Sequence, residues 1–268
     1  MLNLQNSEFK TIEQIRSIAP SIFTNHGAKG TSEKYSHIPT DRVIRDMELL
    51  GWDVVDAKEV KARKNAGYQK HLVVFRNPGV VINGADNDTV FPQILLTNSH
   101  DGKNSFIFTA GLFRMICENG LVVSTEQFDE IKVRHMGYDF DKLQDTIKKL
   151  VENLPLTVEA MNQMVNTELE QDQIVSLAKD LLDLRVENSK NTYDIHAIEA
   201  ILTPQRNQDM GTDLWKVFNR IQENILEGNF DYQTLKGKSR SARKIKNFQQ
   251  DLELNKKMFS KALEYAVC

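Results

Sequence analysis

Two runs of the sequence gather positive charge with almost no acid beside it. Between Lys58 and Arg76, six cations (Lys58, Lys61, Arg63, Lys64, Lys70 and Arg76) stand against Glu59 alone. From Lys236 to Lys246, the residues Lys236, Lys238, Arg240, Arg243, Lys244 and Lys246 give +6 with no carboxylate. Lysine and arginine neutralise phosphates, arginine with a two-pronged fork, and such contacts position a nucleic-acid backbone whatever its bases. Tyr68 lies inside the first run, where a ring beside cations offers a stacking platform for an unpaired base. The residues expected to contact single-stranded DNA are therefore Lys61, Arg63, Lys64, Tyr68 and Lys70, with Lys238, Arg240, Arg243 and Lys244 extending the track. Two competing readings exist. The runs are ordinary solvated faces, or they dock onto the protein's own acid, since Asp139–Glu199 holds 13 acidic against 6 basic residues.

A third constellation is Asn98-Ser99-His100-Asp101-Gly102. Adjacent serine, histidine and aspartate point to alternating sides of an extended chain and cannot converge as a triad. No Gly-x-Ser-x-Gly elbow accompanies them. Two readings remain: a polar hairpin turn, or a turn that holds a ligand or phosphate with its side chains and backbone N–H groups. The second reading takes Asn98, Ser99, His100, Asp101, Arg114 and Asn119 as its residues. An enzyme built on this turn is a weaker third option, and no catalytic residue is assigned.

Other chemistries find little support. The chain carries neither a P-loop nor a Gly-x-Gly-x-x-Gly turn after a strand, so nucleotide-driven chemistry lacks its usual phosphate cradle. His26, His37, His71, His100, His135 and His196 are scattered, and Cys117 and Cys268 have no partner at metal-ligand spacing. No metal and no cofactor is expected; Asp86, Asp88 and Asp101 leave a magnesium-dependent nuclease as a minor alternative. The 268 residues, 40% hydrophobic and 26% charged, belong to a folded protein with one large or two modest domains. No apolar run approaches the roughly 18 residues of a membrane span, and the N-terminus lacks the layout of a signal peptide. A cytoplasmic protein is the expectation, with both cysteines as thiols.

The elements that must position these residues change character near Gly137. Before it, a short helix over 12–18, stopped by Pro20, precedes a helix capped by Thr40-Asp41 and closed by Gly51. Strands follow over 52–55, 70–76, 80–83, 92–98, 105–109, 121–124 and 131–135, with 61–69 as a long hairpin tip and 111–118 as a short buried helix. Sequential hairpins of this kind build an antiparallel sheet with helices on one face, an α+β domain over 1–137. The region 138–268 reads as helical. Its apolar stripes begin at Leu143, with Pro155 expected to kink or break the first helix, and continue from Ile174 and from Leu214. A last helix is expected from about Ala242 to Tyr265, with 236–246 as its flexible basic lead-in.

The stretch Phe91 to Gly102, followed by Thr109 to Leu121, is similar to the signature of the phage/plasmid-like family catalogued as domain of unknown function 932. Asn98–Gly102 corresponds to that family's Asn-Ser-His-Asp-Gly turn, and Gly111–Gly120 to its Gly-Leu-Phe-Arg-x-x-Cys-x-Asn-Gly segment. Looser likeness extends to Gly51-Trp52, His71, Asn219-x-x-Gln222-Glu223-Asn224 with Gly228, and Asn255. The resemblance implies a phage, prophage or plasmid gene in a bacterial host cell, with no assigned reaction. The order helix, Gly-Trp, strand, basic hairpin, return strand also resembles the layout of Rad/Erf-type single-strand annealing proteins, which implies an oligomeric ring around single-stranded DNA. The expectation is a non-enzymatic, homo-oligomeric DNA-transaction protein. The alternative is a module that docks a host or defence factor through the acidic helices.

Overall fold

A computed structural model describes residues 9–31, 35–61, 66–80, 82–83, 89–104, 106–114, 120–121, 131–133, 139–186 and 191–266. They form two compact units, the first built essentially from residues up to Leu154 and the second from Pro155 onward.

In the first unit, α1 (Ile12–Ile18) opens with a reciprocal cap: the Gln14 N–H donates to the Thr11 hydroxyl, and the Thr11 N–H to the Gln14 side chain. Helix α2 (Thr40–Leu49) buries Val43, Ile44 and Met47, one apolar stripe, and Gly51 follows it at φ +81°. Thr40 is not the cap that the sequence predicts. Pro39 holds that position, and the Thr40 hydroxyl is committed inward to His71 and Asn98.

The strands are β1 (Asp53–Glu59), β2 (His71–Arg76), β3 (Ile82–Asn83), β4 (Thr89–Asn98), β5 (Phe106–Arg114), β6 (Gly120–Leu121) and β7 (Ile131–Val133). They make one sheet in the order β1-β2-β4-β5-β6, with β3 pairing β4 and β7 pairing β5. Antiparallel register aligns His71 with Asn98, Val73 with Leu96 and Phe75 with Ile94. Cross-strand partners share a face, so Ala57, Val73, Phe75, Ile94, Leu96 and Phe108 form a continuous buried layer. His71 and Asn98 lie at its polar end.

Two expectations are overturned. Gly111–Arg114, read as the start of a helix, continues β5, with Gly111 opposite Gln93 and Arg114 opposite Val90. A short apolar run has no periodicity to separate strand from buried helix, and the ladder to β4 decides the matter. The rest of that segment lies outside the described residues. Helix α3 (Phe140–Val165) spans Pro155 and is not broken there, although the two compact units divide at that residue. Proline's fixed φ is helical, and the residue costs the helix one hydrogen bond rather than its continuity.

The second unit contains α4 (Gln171–Arg185), β8 (Asn191–Thr192), α5 (Ile195–Leu202), α6 (Leu214–Glu227), β9 (Asp231–Thr234), β10 (Ser239–Ser241) and α7 (Phe248–Glu264). Helix α6 is its axis: capped by Asp213, it buries Trp215, Phe218, Ile221 and Ile225, and Phe218 meets Phe259 of α7 edge to face. Asn219, Arg220, Gln222, Glu223 and Asn224 are buried too, and each makes at least one hydrogen bond. Asn224 Nδ2 donates to the Ile201 and Thr203 carbonyls at 3.0 and 2.8 Å, and Gln222 donates to Asn255. This half is mostly helical, as the sequence predicts, and carries in addition a small sheet, β10-β9-β8. Helix α7 starts at Phe248, capped by Asn247, so 242–247 is irregular chain and not helix. Among the described residues no helix is long and apolar enough to cross a membrane.

Candidate nucleic-acid interface

The Asn98–Gly102 turn is knitted into the first unit. Asn98, Ser99 and His100 are each 0% exposed. Ser99 Oγ donates to Asp101 Oδ1 at 2.8 Å and accepts from Asn104 Nδ2 at 3.1 Å. The His100 backbone receives the Ala28 N–H at 2.8 Å and donates to the Tyr68 carbonyl at 3.1 Å, so the turn ties a loop and the basic hairpin to the sheet. Arg114 ends β5, and Asn119 lies outside the described residues.

His71, fully buried beside this turn, has a complete set of partners as a neutral ring. A carbonyl only accepts, so the 3.2 Å contact to the Gln69 oxygen puts the proton on Nδ1, where Ser21 Oγ also lies at 3.1 Å. Nε2 then accepts from the Thr40 hydroxyl at 2.9 Å, and Thr40 Oγ1 accepts from Asn98 Nδ2 at 2.9 Å. Burial pushes the His71 pKa down to about 4, with the Gln69 carbonyl pulling weakly the other way. The His100 ring lies 5.1 Å from His71 and 4.6 Å from His37, centroid to centroid. The rings are tilted to one another by 48° and 50°, and no metal-holding group of side chains occurs among the described residues.

The first basic run also belongs to this unit. Lys61 is exposed, whereas Tyr68 donates to or accepts from His26 Nε2 at 2.8 Å and meets that ring edge to face. Thr24 Oγ1 donates to the Gly67 carbonyl, bracing the same tip. Arg63 and Lys64 lie outside the described residues, and Lys70 is half-buried, its carbonyl accepting from the Val60 N–H. Tyr68 is thus tied to its neighbours through its hydroxyl and one ring contact.

The second run is organised differently. A groove of about 850 Å³ in the second unit is lined by Lys238, Arg240 and Arg243, joined by Arg185 and Tyr232. The β9–β10 hairpin, with Arg240 opposite Tyr232 in register, supplies one wall. Arg243 is fixed by its backbone. The Ala242 N–H donates to the Phe230 carbonyl and the Ile245 N–H to the Leu226 carbonyl, each at 2.9 Å. Gly228, at φ +81°, lets that chain pass: a Cβ there would lie 2.6 Å from the Arg243 carbonyl carbon. From the other side, Arg185 Nη2 donates to the Arg243 carbonyl at 3.0 Å. No carboxylate among the described residues pairs with Lys238, Arg240, Arg243 or Arg185. Lys244 differs, since its ammonium lies 2.6 Å from Glu227.

Of the nine expected contact residues, then, Lys238, Arg240 and Arg243 share one groove. Arg185 and Tyr232 were missed by sequence reasoning. A basic residue in the last turn of a helix reads as a partner for the helix dipole, and Tyr232 sits in a segment whose strand is only four residues long.

The chain matches the family model described as a domain of unknown function (DUF932) over residues 29–259. It is 29% identical over 254 residues to the UPF0380 protein YfjQ of Escherichia coli (strain K12). It is 30% identical over the same length to the UPF0380 protein YafZ of that strain, and each alignment covers 93% of this chain and 89% of the relative. No solved structure matches the chain.

Proposed function

The chain belongs to the family of the domain of unknown function 932, and from that premise we propose that it is a non-enzymatic binder of single-stranded DNA, working through the groove of its second unit. The observation that carries this reading is the convergence of Arg185, Lys238, Arg240 and Arg243 on one open groove, none of them paired with a carboxylate among the described residues, with Tyr232 between them. Cations without counter-charges in a groove raise the local concentration of a polyanion. An aromatic ring among them favours a strand whose bases are free to stack. Homo-oligomerisation and a role in the DNA transactions of a mobile element belong to the same proposal and rest on the resemblances of the sequence. A fluorescence-polarisation titration with a labelled single strand tests it. Four neutralised phosphates give a salt slope near −0.7 × 4, or about −2.8, so binding should weaken roughly 50-fold for a fourfold rise in salt. No binding at low salt would remove the proposal.

A further inference from the structure

We propose that Arg185 is the phosphate anchor of the groove: it holds one phosphodiester of a bound strand in a fixed orientation, while Lys238, Arg240 and Arg243 hold the neighbouring phosphates loosely. This rests on the binding reading above and assigns within it a role that the groove's charge alone does not require.

The four cations differ in how they are held. Lys238, Arg240 and Arg243 are exposed, so each must give up side-chain freedom when it grips a ligand. Arg185 is half-buried at the end of α4, and its guanidinium is already oriented, because Nη2 donates to the Arg243 carbonyl at 3.0 Å. Its Nε is enclosed in the protein and meets no acceptor. No carboxylate among the described residues pairs with it. Burial accordingly lowers its pKa, with Tyr232 opposing. A cation withdrawn from water without a counter-charge is costly to the empty protein, and a phosphate arriving in the groove supplies the missing charge. Tyr232 lines the same groove, so a strand anchored at Arg185 brings a base within range of a ring.

The anchor depends on shape as well as charge. A guanidinium can bond the Arg243 carbonyl with one N–H while its remaining donors take a phosphate; a lysine ammonium is a point charge without that planar fork. The test therefore uses Arg185→Lys in the full chain, with Arg240→Lys as the comparison and a labelled oligothymidylate as the probe. The expected result is about a 10-fold loss of affinity for Arg185→Lys at low salt, with the salt slope nearly kept, and a smaller loss, of about 2- to 3-fold, for Arg240→Lys. If wild type binds with a steep salt dependence and Arg185→Lys matches it, the anchor is refuted while the groove reading stands. If wild type does not bind, both fail. Should Arg185→Lys not fold, nitrogen-15 arginine spectra of the wild type during addition of the dinucleotide pTpT give the second measurement. A shift of the Arg185 Nε–H resonance well beyond those of Arg240 and Arg243 supports the anchor; equal small shifts overturn it.

Discussion

His71 should make the first unit sensitive to acid in a window set by one buried ring. In the fold the imidazole is satisfied only when neutral, donating from Nδ1 to the Gln69 carbonyl and accepting at Nε2 from Thr40. A second proton would turn Nε2 into a donor facing a hydroxyl oxygen that already accepts from Asn98. The folded pKa is about 4 against an ordinary 6.5. The unfolded chain therefore takes up the proton as pH falls below about 6.5, while the folded chain refuses it until about 4. Stability is complete above the upper value and drains through the window. Two and a half units at 1.36 kcal/mol each amount to about 3 kcal/mol. The perturbation is His71→Gln, which cannot titrate. Trp52, 2% exposed, reports on the first unit, so urea unfolding is followed by fluorescence in a Trp215→Phe background. The His37 and His100 rings and Glu59, which reaches His71 through Gln69 and the Ser21 N–H, are common to both proteins, so the difference between the two profiles reports on His71. Between pH 7 and pH 4.5 the His71 protein should lose more stability than the variant by most of those 3 kcal/mol. Parallel profiles for the two proteins would refute the reasoning.

Three further outcomes are expected. Gly228→Ala forces a Cβ against the Arg243 backbone at a left-handed φ, so it should destabilise the second unit by at least about 2 kcal/mol in denaturation and lower single-strand affinity along with it. Tyr232→Leu should cut single-strand affinity about 10-fold by loss of stacking, with duplex affinity within about 2-fold of wild type in the same polarisation assay. Lys244→Ala should leave affinity within about 2-fold, because that ammonium is engaged by Glu227; as an exposed pair it should change stability by less than about 1 kcal/mol.

Helices were legible where an apolar stripe repeats at three and four. The stripe Ile174, Leu177, Ala178, Leu181 and Leu182 is the buried face of α4, and the stop at Gly228 is a left-handed cap. Short elements were legible only in part: strands are expected over 80–83, 121–124 and 131–135, where β3, β6 and β7 lie, but others were not readable. Gly111–Arg114 is strand because β4 pairs with it, a partner distant in sequence, and β8 to β10 are too short to show a period. The same limit governed the groove. Composition marks Lys238, Arg240 and Arg243 as a basic run, but only the hairpin and the Gly228 passage bring them to Arg185 and Tyr232, which come from other elements. The Asn98–Gly102 turn was conspicuous for its polar residues, and its hydroxyl, amide and backbone groups are bonded within the protein. Chemical type was readable there, and employment was not.

The most direct test compares the salt slope of single-strand binding in wild type with that of Lys238→Ala/Arg240→Ala/Arg243→Ala. Removing three of four phosphate contacts should flatten the slope from about −2.8 to about −0.7 and abolish most of the affinity. An unchanged slope and affinity in the triple variant would place the interaction elsewhere on the protein and contradict the groove account.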